Sequence, residues 1–152
     1  QKYRHKVIGC NSRLDTLQAA ILKVKLRHLN HYNEARQQAA AHYDQLLRDI
    51  PGITLPARML FSSHVFHQYT IKVEEGKRDK LRQHLARKQI PSMIYYPLTL
   101  QEQEAFKYIA RTAEPLNESK KLTRTVLSLP MHTELTMGQQ EYIAKEIRKF
   151  FQ

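Results

Sequence analysis

From residue 12 to residue 50 the chain contains neither proline nor glycine. Over that run apolar residues recur three and four apart. Leu14, Leu17, Ile21 and Val24 come first, then Leu29, Tyr32, Ala35, Ala39, Tyr43, Leu46 and Ile50. One apolar stripe at the helical period predicts either one long helix over 12–50 or two helices joined near 28–33. Ser12, with Asp15 three residues on, makes a capping-box-like start. Pro51-Gly52 is a stop. So long a helix is unusual in a free-standing domain of this size and often bridges two domains.

The rest of the chain reads as short alternating elements. Residues 53–55 predict a short strand within a connector. VFHQYTIKV, 65–73, alternates Val65, His67, Tyr69, Ile71, Val73 against Phe66, Gln68, Thr70, Lys72, a strand pattern. Residues 78–89 predict a helix with Leu81 and Leu85 inward, and 90–96 a second strand closed by Pro97. A short helix over 100–110 and another over 117–124 follow. VLSLPM, 126–131, predicts a buried strand. Thr136 is placed to cap a last helix through Phe151, with Tyr142, Ile143, Ile147 and Phe150 on its apolar side. The expected class is α+β, a small sheet with helices packed against one face. Residues 1–50 read as a lead-in and linking helix, and 51–152 as a small α+β domain.

The 152 residues are the size of one domain, and 41% of them are hydrophobic, enough for a core. The net charge of +11 suggests an anionic partner: nucleic acid, membrane headgroups or phosphorylated small molecules. The cations are scattered, however. Lys23, Lys25 and Arg27 lie on one predicted helix, and Lys77, Arg78, Lys80 and Arg82 on another, so solvated helix faces explain most of the charge. A single cysteine, Cys10, excludes an internal disulfide and fits a reducing, cytoplasmic setting. No apolar run reaches the roughly 20 residues that span a bilayer, so no membrane association is expected. The opening QKYRHKVIGCN has no signal-peptide apolar region and no initiator Met. It reads as the start of a fragment.

Few residues point to chemistry. His64 and His67 would face opposite sides of a strand, and no Cys/His cluster supports a metal. Cys10 reads as a small packing residue rather than a nucleophile. With four glycines and no Gly-rich motif, a phosphate-cradling loop is not expected. Tyr95 and Tyr96, adjacent at a strand end, would point to opposite faces, one into the core and one into a cleft. The pair is a strand end or a substrate wall. Asn11 and Arg13 precede a helix N-terminus, where backbone N–H groups and the dipole favour anions. They are helix-capping residues or anion ligands, and the sequence pattern leaves both open.

Four blocks resemble the DegT/StrS nucleotide-sugar aminotransferases. GCNSRLDTLQAAIL is similar to their G-x-N-x-R-[LM]-x-x-[LI]-Q-A-A stretch. HVFHQYTIKV resembles the family strand H-x-Y-x-[IL]-x-[VL]. IPSMIYYPLTLQEQEAF resembles [YH]-Y-P-x-P-L-H-x-Q-x-A-[FY], and LNESKKLTRTVLSLPMHTELTM resembles the closing A-E-x-x-x-x-x-x-L-S-L-P-x-[HF]-x-x-[LM] segment. The blocks occur in register over essentially the whole chain.

The resemblance implies the C-terminal part of a fold-type I aminotransferase that uses pyridoxal 5′-phosphate. Such enzymes move an amino group, typically from glutamate, to a keto sugar on a nucleoside diphosphate. They work as homodimers with sites at the subunit interface. The resemblance assigns Asn11 to the cofactor phosphate of the neighbouring subunit. It assigns Arg13, Tyr95, Tyr96 and His67, with Gln68 beside it, to the substrate edge. Where the family often carries Pro and His, this chain has Thr99 and Gln101. The family's Schiff-base lysine lies upstream in an S-x-x-x-x-K-type motif, and no serine here is followed five positions on by lysine. No catalytic residue is therefore expected in this chain, which would need an upstream large domain and by itself would bind cofactor poorly and not transaminate. Two other readings stand beside it: a non-catalytic regulatory relative, and a basic nucleic-acid-binding module, for which no base-stacking face is evident.

Overall fold

The computed structural model describes residues 4, 6–10, 13–111 and 114–152. The apolar run forms two helices, α1 (Thr16–Leu26) and α2 (Leu29–Leu47). At the break, the N–H groups of Arg27 and His28 bond back three residues, to Val24 and Lys25. This tightened turn ends α1 without proline or glycine. The N-cap of α1 is Asp15, whose carboxylate accepts the Gln18 N–H at 2.7 Å. The expected Ser12 cap lies outside the described residues.

The two helices differ in burial. None of α1 is buried, and Leu17, Ile21, Leu22 and Val24 are each more than half exposed. The second half of α2 buries Ala39, Ala40, Tyr43 and Leu47 in the core. It packs on the last helix, α5 (Met137–Phe151), where Gln140 Nε2 donates to the Ala39 carbonyl at 2.7 Å. Gln140 is itself buried, so this bond satisfies an amide that water cannot reach.

The sheet is antiparallel, in the order β1 (Ile53–Thr54), β2 (Tyr69–Val73), β3 (Val126–Leu129). Its register pairs Ile53 with Val73, Tyr69 with Leu129 and Ile71 with Leu127. Tyr69, Ile71 and Val73 are buried, as their alternation predicts, and every residue of β3 is buried. α3 (Arg78–Arg87) sends Leu81 and Leu85 into the same core. α4 (Asn117–Thr125) leads directly into β3. The architecture is the expected α+β class.

Three predicted elements differ. The strand over 65–73 begins only at Tyr69. Phe66 has φ +47°, is 1% exposed and stacks under the Arg58 guanidinium at 4.1 Å. Its N–H goes to His64 Nδ1 at 2.9 Å rather than to a neighbouring strand. The strand over 90–96 is reduced to one bridge, Met93 with Ser128, closed by two backbone hydrogen bonds. Pro91 and Pro97 lack the N–H groups a longer ladder needs. The helix over 100–110 is instead two 3₁₀ turns, Leu100–Glu102 and Glu104–Phe106, separated where Gln103 is extended and buried.

Candidate functional site

Of the described candidate residues, Tyr95, Tyr96, His67 and Gln68 fall around two hollows. The first, of about 600 Å³, is walled by Tyr95, Tyr96 and the 98–103 turn on one side and by α4 on the other. Met93 is pinned to β3 and Ile94 is buried, so the chain leaves the core at Tyr95 in a fixed position. The Tyr95–Tyr96 peptide is cis. Both side chains line the same hollow, with ring centroids 5.8 Å apart and edge-on. The expectation that they face opposite sides is thus corrected: it assumed an extended strand, and this segment is not one. Tyr96 is 59% exposed, so much of its surface faces solvent.

The floor of this hollow depends on Thr99. Its N–H and its hydroxyl both donate to Glu102, at 3.0 and 2.6 Å. The Thr99 hydroxyl first, and its N–H second, hold the Glu102 carboxyl below the ordinary glutamate range. A proline at this place would have no N–H to give. Gln101 lines the same hollow and presents a neutral amide to it. Arg111, Ser119 and Thr123 complete the polar lining. The sequence reading missed these three. For Ser119 and Thr123 the signal was their four-residue spacing on one face of α4, legible only once α4 is known to meet the Tyr95–Tyr96 turn; Arg111, which precedes α4, carried none.

The second hollow, of about 940 Å³, lies where α1 meets α2, against His67, Gln68 and the 131–134 loop. His67 is exposed on its rim. His64 takes no part: its ring packs on Phe66 at 4.2 Å and its Nδ1 caps the Phe66 N–H. Behind this region, Tyr69 OH donates to Asp44 at 2.6 Å, and Arg58 pairs with the other oxygen of that carboxylate. Burial, and then the bond to Asp44, push the Tyr69 phenol well above the usual tyrosine range. This brace fixes the start of β2. Arg13 is exposed and lines neither hollow. Asn11 lies outside the described residues. The structure therefore joins Tyr95 with Tyr96 and His67 with Gln68, but does not bring the two pairs into one hollow.

The described residues form a small α+β domain joined to a helix, α1, none of which is buried. The chain belongs to the DegT/DnrJ/EryC1/StrS aminotransferase family, whose profile matches residues 1–148. It is 43% identical over 152 residues to a pleiotropic regulatory protein of Geobacillus stearothermophilus, covering 99% of this chain and 40% of that protein. It is 41% identical over 149 residues to a UDP-N-acetyl-3-dehydro-α-D-glucosamine 3-aminotransferase of Acidithiobacillus ferrooxidans, covering 98% and 39%. Among solved structures, Streptomyces venezuelae DesV, in complex with a ketimine intermediate, superposes with a TM-score of 0.85 at 35% identity, covering 100% of this chain and 40% of that one. A Bacillus subtilis relative solved with its cofactor PMP gives a TM-score of 0.75 at 26% identity, covering 94% and 34%. The chain thus spans about two fifths of the length of these relatives.

Pyridoxal chemistry needs an amine held against the cofactor aldehyde. Every lysine among the described residues is exposed, and none lines the Tyr95–Tyr96 hollow. Among the described residues, then, no lysine stands at that hollow to meet the cofactor aldehyde. Among the described residues, too, no three His, Cys, Asp or Glu side chains group as metal ligands, and no helix is long and apolar enough to cross a membrane.

Proposed function

We propose that this chain is the C-terminal part of a pyridoxal-phosphate-dependent aminotransferase that moves an amino group, typically from glutamate, to a nucleotide-linked keto sugar. The observation that carries the reading is the superposition of the whole chain on about two fifths of DesV, at 35% identity. The named activity of the Acidithiobacillus relative supports the substrate class. In this reading residues 1–50 link an upstream large domain to the small domain 51–152. The exposed apolar side of α1 is the part that meets the remainder of a cytoplasmic homodimer. Asn11 reaches the cofactor phosphate, Arg13 meets the anionic substrate, and Tyr95, Tyr96 and His67 edge the sugar. Bound cofactor supplies the electrophilic aldehyde and electron sink, and this chain supplies walls and anion contacts.

The test is an assay of the whole polypeptide with glutamate and a nucleoside-diphosphate keto sugar, read by mass spectrometry. An amino sugar formed with 2-oxoglutarate is the expected result. Absence of both products across uridine- and thymidine-linked keto sugars argues for a second reading, a regulatory relative. That alternative has its own support in the name of the Geobacillus protein.

A further inference from the structure

The loop that leads into β2 is closed by a bond that only an uncharged ring can make. The Phe66 N–H lies 2.9 Å from His64 Nδ1. A backbone N–H can only donate, so Nδ1 accepts, and the neutral imidazole carries its proton on Nε2. A proton added at Nδ1 sets two donors against each other, and the ring must turn away. The residue held by this bond is strained. Phe66 has φ +47°, which a bulky side chain adopts only where its surroundings impose it, and it is 1% exposed. Three further contacts hold the loop. The His64 ring packs on the Phe66 ring with centroids 4.2 Å apart, and the Arg58 guanidinium lies 4.1 Å from the centre of the same Phe66 ring. Gln37 of α2 donates to the His64 carbonyl at 3.0 Å.

No carboxylate is placed to compensate a charged His64. Asp44 of α2 is taken up by Arg58 and by the Tyr69 hydroxyl. Glu34, one turn before Gln37, and the other acidic groups among the described residues form no ion pair with the His64 ring. Arg58 is already on the Phe66 ring, so a charged His64 would be a second cation beside it. His67, the other titratable ring of this loop, is exposed.

We propose that His64 is a proton-sensitive clamp. Neutral, it locks Phe66 and fixes the 64–68 loop at the entrance to β2. Protonated, it lets that loop open. Imidazole is the side chain that ordinarily changes charge between about pH 5 and 8. The loop carries His67 and Gln68 to the wider hollow, so their placement follows the state of His64. The clamp rests on the contacts of His64 and Phe66 and stands whether or not the parent protein transaminates.

The test is hydrogen–deuterium exchange of the whole polypeptide at about pH 7.5 and about pH 5, read by mass spectrometry on peptides overlapping at Phe66 and corrected for intrinsic rates. Protection of the Phe66 amide is expected to fall roughly fivefold or more at the lower pH, while that of α5 holds. His64→Asn offers an oxygen to the N–H two residues on but does not titrate, so protection stays and its pH dependence is lost. His64→Ala has no acceptor, and protection is low at both pH values. His67→Asn leaves the wild-type dependence in place. A dependence that persists in His64→Asn assigns the proton elsewhere and overturns the proposal. So does wild-type protection that ignores pH, or a parallel loss in α5, which would make the opening global.

Discussion

Gly52 shows how one residue sets a boundary. It has φ +80°, and a Cβ there would sit 2.5 Å from the Phe151 ring. Gly52→Ala places a side chain in a left-handed conformation and against that ring. It is expected to destabilise the protein by about 1–3 kcal/mol, measured by urea denaturation. An unchanged midpoint would show that Phe151 and the turn relax freely. Pro51-Gly52 was legible as a stop from the dipeptide, because the requirement is local. Phe66 was not. Its burial needs a positive φ and the Arg58 stack, and nothing in the alternation of 65–73 announces either. The Tyr95–Tyr96 pair was legible as a candidate but not as a shared wall, because its geometry departs from the extended strand that the reading assumed.

Elements closed by their own sequence were read well. α5 starts after Thr136 because the Thr136 hydroxyl and the Gln139 amide cap one another, a device contained in four residues. The second strand failed because its partner, Ser128, lies far along the chain and two prolines limit what can pair. Between α3 and α5 sits a charged contact that periodicity does not show. Glu146 is buried, bonded to Lys149 at 2.7 Å, with His84 at 3.4 Å and Lys88 at 3.9 Å. The Lys149 bond first holds its carboxyl below the ordinary glutamate range, against the opposing effect of burial. A carboxyl lowered on folding adds stability that is fully present above its unfolded value and lost as pH falls through its folded one. Stability is therefore expected to fall as pH drops below the ordinary glutamate range, about 4.3. Glu146→Gln should flatten that dependence in melting curves recorded from about pH 6 to pH 3. An equally steep loss in the variant would assign the acid sensitivity to other groups.

At the scale of the molecule, α1 leaves its apolar face unburied, and the chain spans about two fifths of the relatives it matches. Leu17, Ile21 and Val24 repeat at a spacing that would bury them in a complete core, yet here they face outward. The sequence motifs disclosed the family, because four blocks kept their order. They could not disclose that Tyr95 and Tyr96 line one hollow and His67 and Gln68 another, which depends on how distant segments pack. The central claim is that the protein holding this chain is a pyridoxal-phosphate enzyme. The most direct measurement is the visible spectrum of the whole polypeptide with pyridoxal phosphate, before and after borohydride. The account predicts a cofactor band that borohydride abolishes, leaving the cofactor attached to a lysine of the polypeptide. A spectrum that is only that of free cofactor, with no mass added to the protein, would contradict it.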